Sequence, residues 1–309
     1  MGDGLSVSTS RTPVPALQSV PADVVALADY QRHAAARLDA HALAYIDGGA
    51  ADELTQQANR AAWDALWLQP RVLRRLADGH TRVELLGGTL AHPILLAPIA
   101  FQRLAHADGE LASAHAAAAQ GAGFILSAQA SQPLELIADA VLREPERGPL
   151  WFQLYLPHDR GFAHELLHRV EAAGYEAIVL TVDAPSHGAR DRLRRAGGDW
   201  PAHVRAVNLA GLPAAEPARR GASLFEQLQA APSWEDIGWL REATSLPLLI
   251  KGVLHPADAR EAAQRGAAGL IVSNHGGRTL DTALPSAQAL PRIADALAAL
   301  PGAAATLPL

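Results

Sequence analysis

The 309-residue sequence has no cysteine. Disulfides, thiolate metal sites and a cysteine nucleophile are therefore excluded, and the absence fits a reducing compartment. Aromatic residues are sparse, at 5% of the chain, and methionine occurs once. No run of about 18 uncharged apolar residues occurs, so no segment reads as a membrane-spanning helix. The first 25 residues lack an apolar stretch long enough for a secretory signal, and the opening MGDGLS matches only the loose pattern for N-myristoylation. A basic excess is missing too: 26 Lys and Arg face 32 Asp and Glu, for a net charge of −6. That balance argues against a nucleic-acid partner or a polybasic membrane surface. A cytoplasmic protein is the expectation.

What is present is globular: 49% of the residues are hydrophobic and 19% charged. Residues 1–22 are rich in Ser, Thr and Pro and read as a flexible leader. Residues 23–309 are expected to form a single domain. Val25, Leu27, Tyr30, Leu38, Leu43 and Ile46 recur at helical spacing, predicting a helix over 21–47 that Gly48 and Gly49 stop. A second helix is predicted over 52–68, with Trp63, Leu66 and Trp67 as its apolar stripe. TRVELLGGTLAHPI predicts a hairpin turning at Gly87 and Gly88.

After the hairpin, short apolar runs recur: ILLAP (94–98), FILSA (124–128), WFQLYL (151–156), AIVLTVD (177–183), PLLIKG (247–252) and GLIVSN (269–274). Ala-rich amphipathic segments separate them, and several end in Gly just before the next run. Buried parallel strands read as continuous apolar runs, with helices as crossovers. The spacing predicts an α/β fold of the (β/α)8 TIM-barrel type. A doubly wound sheet is the second arrangement it allows. Residues 186–235 form a long insertion holding Arg190, Arg192, Arg194, Arg195, Arg205, Arg219 and Arg220, and are expected to act as a lid over an active site.

The strand ends carry the chemistry. Ser127 closes the second run. Gln153 and Tyr155 share one face of the third, and Thr181 and Asp183 share one face of the fourth. Lys251 ends the fifth, and Ser273, Asn274 and His275 end the sixth. Successive polar groups at the carboxyl ends of barrel strands mark a catalytic face. His275 is a candidate general base, Asp183 its orienting partner, and Lys251 a fixed cation for developing negative charge. Arg278 and Arg190 suit bidentate carboxylate recognition. Together they suggest chemistry at a carbon next to a carboxylate.

The segments LLAPIAFQRLAHADGE, WFQLYL, LTVDAPSHGARD, LPLLIKGV and GAAGLIVSNHGGRTLD resemble the FMN-dependent 2-hydroxy-acid oxidase and dehydrogenase family, which includes glycolate oxidase, lactate oxidase and mandelate dehydrogenase. The similarity runs over residues 30–309. It implies oxidation of a small 2-hydroxy acid to a 2-keto acid, with FMN reoxidised by oxygen, a quinone or a haem protein. It implies His275 as base, Asp183 as its partner, and Tyr45, Tyr155, Arg190 and Arg278 as substrate contacts. Flavin would lie against the backbone of Pro98, Ile99 and Ala100, with Ser127, Gln153, Thr181, Lys251 and Ser273 around it. A homo-oligomer is compatible with all of this.

This sequence departs from the family pattern in three places. Ile99 stands where many relatives have threonine, and Gln129 where glycolate oxidase has a substrate-facing tryptophan. The chain ends at ATLPL, read as the start of a seventh strand. The later DGG-x-R and Gly-Arg segments that bind the FMN phosphate are not in the sequence. The expectation is a C-terminally incomplete barrel, and a non-catalytic remnant that holds no FMN is the alternative reading. One competing motif, HELLH at 164–168, fits the zinc-protease pattern H-E-x-x-H. Position 171 is Glu where the extended motif has Gly, so exposed helical histidines are expected instead.

Overall fold

The computed structural model describes residues 17, 19–186, 188–213 and 231–309. Three helices come first: α1 (Tyr30–Arg37), α2 (Ala40–Asp47) and α3 (Leu54–Asp64). A hairpin of β1 (Val83–Leu85) and β2 (Gly88–Leu90) follows. Strands and helices then alternate: β3 (Leu95–Leu96), α4 (Gly109–Ala119), β4 (Gly123–Ser127), α5 (Leu134–Val141), β5 (Leu150–Leu154), α6 (Arg160–Ala172) and β6 (Ala177–Thr181). The series ends with α7 (Asp191–Ala196), α8 (Trp234–Ala243), β7 (Leu248–Val253), α9 (Pro256–Gln264), β8 (Gly269–Val272) and α10 (Ser286–Ala298).

β3 to β8 form one six-stranded sheet in consecutive order, and every pairing is parallel. Such order requires each crossover to return to the same side, and the sheet curls as part of a barrel wall. A doubly wound sheet would reverse its strand order partway, so that alternative is set aside.

Strand parity separates two cores. Phe124, Leu126, Leu150, Phe152, Leu154, Ile178, Leu180, Leu248 and Ile250 face outward into the layer of helices. Ile125, Trp151, Ala177, Val179 and Leu249 face inward, with Leu85 and Leu86 of the hairpin packed against them. Side chains alternate along a strand, so Ser127, Gln153, Thr181 and Lys251 are the next inward positions, at the carboxyl end of each strand.

Several expectations need correction. The helix predicted over 21–47 is broken: Leu38 is extended, and the Asp39 carboxylate accepts the Ala42 N–H at 2.7 Å, restarting the helix as α2. The hairpin turns at Leu86 and Gly87, both at positive φ, while Gly88 already pairs with Leu85. Two positive-φ residues are what a two-residue hairpin turn demands. The supposed apolar stripe of Trp63, Leu66 and Trp67 is exposed rather than packed. At the chain's end a 3₁₀ turn (Gly302–Thr306) precedes residues 307–309, where the Leu270 N–H of β8 donates to Pro308 O at 2.9 Å; no regular strand is formed there among the described residues. Of the 186–235 insertion, α7 and a 3₁₀ turn (Val207–Leu209) are described; Arg219 and Arg220 lie outside the described residues. HELLH falls on α6, and no cluster of metal-ligating side chains occurs among the described residues.

Candidate active site

The inward positions at the carboxyl ends of the strands join into a buried polar row. Ser127 Oγ donates to Gln153 Oε1 at 3.0 Å, and Gln153 Nε2 donates to Thr181 Oγ1 at 3.0 Å. The Ser127–Gln153 and Thr181–Lys251 pairs are also register partners in the sheet. Neighbouring strands therefore place these groups side by side with no loop rearrangement.

His275 lies just past β8, on a 3₁₀ turn (His275–Gly277), with its own φ at 59°. This left-handed conformation strains a residue with a Cβ and needs external support. Ser273 Oγ accepts the His275 N–H at 3.0 Å. Asn274 exchanges two amide hydrogen bonds with Asn59 of α3, at 2.7 and 3.0 Å, and also accepts the Gly277 N–H at 3.2 Å. Gly277 approaches the α3 backbone so closely that a Cβ there would lie 2.6 Å from Gln56 N. The early helix thus fixes the histidine turn across the molecule.

The imidazole sits between two groups. Its Nδ1 lies 2.7 Å from Asp183 Oδ1, and its Nε2 lies 3.3 Å from the Tyr155 hydroxyl. An ionised carboxylate only accepts, so Nδ1 carries the proton and the Nε2 lone pair is directed at Tyr155. Burial raises the Tyr155 pKa, and the Asp183 charge adds to the effect, so the phenol keeps its proton. Asp183 Oδ2 is buried with no hydrogen-bond partner among the described residues. Asp183 owes its position to Gly252, whose φ is 111° and whose Cβ, if present, would fall 2.6 Å from Asp183 Cβ. Lys251 is buried, and burial lowers its pKa while Asp183 opposes the shift.

Arg190 and Arg278 converge on Tyr45. Their guanidinium carbons lie 4.9 and 5.3 Å from its ring centre, within cation–π range. Arg278 donates to the carbonyls of Tyr45, Ile46 and Gly48 at 2.5 to 3.0 Å, so here its fork engages the end of α2. Arg190 donates to the Tyr45 carbonyl at 3.1 Å, and its Nε is buried with no acceptor among the described residues. A carboxylate could satisfy that donor, and a hydroxyl the unpartnered Asp183 oxygen.

Sequence reading missed several supports. Glu110 is fully buried; it accepts the N–H groups of Gln102 and Ser131 at 3.0 and 2.8 Å, tying the loops after β3 and β4 together. Glu53 and Asp47 hold Arg192. Phe101 and Trp200 form ring contacts with Tyr45. The charge of Glu110 inside an otherwise Ala-rich helix was the one visible signal; the others depend on tertiary contacts.

The chemistry present fits a flavin ring. Lys251, Ala97 and Pro98 line a mainly apolar cavity of about 330 Å³ with Ile125, Trp151 and Leu249, and the buried amide–hydroxyl row of Ser127, Gln153 and Thr181 occupies the carboxyl ends of the neighbouring strands. The FMN-dependent dehydrogenase family model matches residues 34–303. An L-lactate oxidase from Alicycliphilus denitrificans is 47% identical over 285 residues, covering 91% of this chain and 76% of that protein. An L-lactate dehydrogenase from Xanthomonas euvesicatoria pv. vesicatoria is 40% identical, covering 89% and 76%. A solved mandelate oxidase with (S)-2-phenylpropionate superposes with a TM-score of 0.77 at 38% identity, covering 89% of this chain and 75% of its own. A mandelate oxidase variant with a C4a-OH-FMN adduct superposes with a TM-score of 0.76 at 37% identity, covering 88% and 75%. The chain belongs to the FMN-dependent dehydrogenase family, and FMN is its cofactor.

Proposed function

We propose that this chain oxidises a small 2-hydroxy acid to the 2-keto acid on a site made by His275, Asp183, Tyr155, Lys251, Arg190, Arg278 and Tyr45. The observation that carries the reading is the aligned trio of Asp183, His275 and Tyr155, with a proton-accepting nitrogen aimed into the site.

The oxidation breaks one C–H and one O–H bond, forms the C=O bond, and releases two electrons and two protons. FMN, when bound, would supply the acceptor for the two electrons and for the proton that His275 does not take. His275 Nε2 takes a substrate proton, and Asp183 stabilises the imidazolium that results. Tyr155, kept protonated, donates toward the substrate oxygen or Nε2 and fixes their orientation. Arg190 Nε and the Tyr45 hydroxyl hold the carboxylate, and Arg278 joins them by releasing a carbonyl of α2. Lys251 offsets negative charge gathering on the flavin side of the site. Pro98, Ile99, Ala100, Ser127, Gln153, Thr181 and Ser273 would contact the cofactor. The electrons pass on to oxygen or another acceptor.

The six consecutive parallel strands correspond on this reading to the first six of a (β/α)8 barrel, residues 23–309 act as one catalytic domain, and 186–235 works as a lid. The test is the visible spectrum of the purified protein, followed by anaerobic addition of a 2-hydroxy acid. A flavin spectrum that bleaches is expected, and His275→Gln should slow bleaching by roughly 10²–10⁴-fold while flavin stays bound. A colourless protein that takes up no added FMN, or an unimpaired variant, would overturn the proposal.

A further inference from the structure

The reading above assigns the carboxylate and hydroxyl of the substrate but leaves its third substituent unplaced. Two further aromatic rings gather at Tyr45, the ring that the arginine pair faces. Trp200 lies 4.9 Å from the Tyr45 ring and 4.8 Å from the Phe101 ring, both edge-to-face, and Tyr45 and Phe101 are 6.0 Å apart. Such edge contacts are the favoured packing of aromatic quadrupoles, so the three rings form one wall.

Each ring is fixed from behind. Phe101 directly follows Ala100, and its φ of 56° is left-handed, a strained state for a phenylalanine. Hydrogen bonds hold it there: Phe101 N–H donates to the Gln129 carbonyl at 3.3 Å, and the next N–H, of Gln102, donates to buried Glu110. Trp200 follows α7 and is 39% exposed, so it stands at the rim. His41 of α2 secures it: Nδ1 donates to the Gly197 carbonyl at 2.5 Å, and the imidazole meets the indole edge-on at 5.7 Å. Residues 188–200 are therefore docked against the early helices as a roof.

We infer that Trp200 sets the size of the substituent this site accepts. The indole packs edge-on against both Tyr45 and Phe101, so an aryl substituent lying beside the ring that the arginine pair faces would compete with it for space. Small aliphatic 2-hydroxy acids fit beneath it; 2-aryl ones do not. This rests on the catalytic reading proposed above, and it makes Trp200 a specificity-determining residue rather than a participant in the proton transfer.

The experiment compares the FMN-supplemented parent with Trp200→Ala and Trp200→Phe. Two ratios are measured: kcat/KM for 2-hydroxypropanoate over 2-hydroxy-2-phenylacetate, and the relative affinities of the matching 2-oxo acids by calorimetry. The parent should favour the small ligand in both. Trp200→Ala should move both ratios at least tenfold toward the aryl ligand, and Trp200→Phe should move them less. Because each ratio is internal to one protein, a general loosening of the roof cancels. Ratios unchanged within twofold, or a parent that already prefers the aryl acid, overturn the inference and leave the catalytic reading standing. If no acid is oxidised but the oxo-acid affinities shift as expected, the size limit stands and the catalytic reading falls. Failure of the parent to bind either oxo acid overturns both.

Discussion

Lys251 is 7% exposed, and among the described residues the Asp183 carboxylate is the charge that offsets the water its ammonium has lost. Its folded pKa lies below the ordinary 10.5 because burial outweighs that attraction. The sign follows from linkage: below both values the folded protein carries the full cost of the charge, and the cost fades as pH rises through the lowered folded value toward 10.5. Lys251→Met should therefore raise the melting temperature of the flavin-free protein at pH 7, by about 2–4 °C for each ~1 kcal/mol relieved. The same change should weaken FMN retention and slow flavin reduction. Calorimetry of the two flavin-free proteins checks this; a lower melting temperature for the variant would mean that the ammonium is stabilised where it stands. Lys251, Ser127, Gln153 and Thr181 were legible in the sequence because a strand repeats every two residues, so a polar residue in phase with inward apolar ones stands out. Gly252 was not legible as the support of Asp183. Nothing in the run LPLLIKGV tells that its glycine meets a residue from the preceding strand. The Asn59–Asn274 pair, 215 residues apart, leaves no local trace either.

At the scale of elements, the six apolar runs gave all six strands of the sheet to within a few residues, since strands buried on both faces need unbroken apolar sequence. Helices were harder to bound. The break at Leu38 and Asp39 costs no apolar periodicity, so the pattern ran through it, and only the capping carboxylate marks the restart. The docking of α7 was hidden for another reason. Arg192 donates through Nε and one terminal nitrogen to Glu53 at 2.8 and 2.6 Å and through the other to Asp47 at 2.8 Å, joining segments some 140 residues apart. Hydrogen bonding from Arg192 is the main reason the Glu53 pKa is lowered from 4.5. The stabilisation is thus present above 4.5 and lost as pH falls through the lowered folded value. Arg192→Ala should cost about 1 kcal/mol, the upper end for a solvent-accessible ion pair and fitting one that is partly buried. Most of the loss should be local. Amide exchange over 191–196 should speed up several-fold at pH 7, and acidification should produce the same change in the parent but little more in the variant. Equal exchange in parent and variant would mean that ring packing at Trp200, not the ion pair, holds the segment down.

For the molecule as a whole, what the sheet and the early helices leave uncovered decides how it behaves in solution. β3 pairs with β4 over two residues, and β8 pairs with β7 but meets the following chain through the one bond from Leu270 to Pro308. Among the described residues both outer strands of the sheet therefore keep backbone groups that no strand pairs, the ordinary template for association. The end of α3 and the segment after it add exposed apolar side chains: Trp67, Leu68 and Leu73 are 91%, 96% and 101% exposed, and Trp63, Leu66, Val72 and Leu76 are exposed with them. Clustered exposed apolar side chains of this kind mark interaction or association-prone surfaces. The 309-residue protein should therefore self-associate, its weight-average mass rising over about 1–100 µM in sedimentation or light scattering. Trp67→Glu combined with Leu73→Glu places two charges in this segment while touching neither the sheet nor the His275 turn. This variant should shift the association to higher concentration by at least tenfold, with an unchanged circular dichroism spectrum. If the double variant associates as the parent does, the sheet edges rather than this segment drive the contact, and charges placed on β3, at Leu96, should then break it. A parent that stays monomeric across the range would show that this segment and both edges are covered by the protein's own chain in solution.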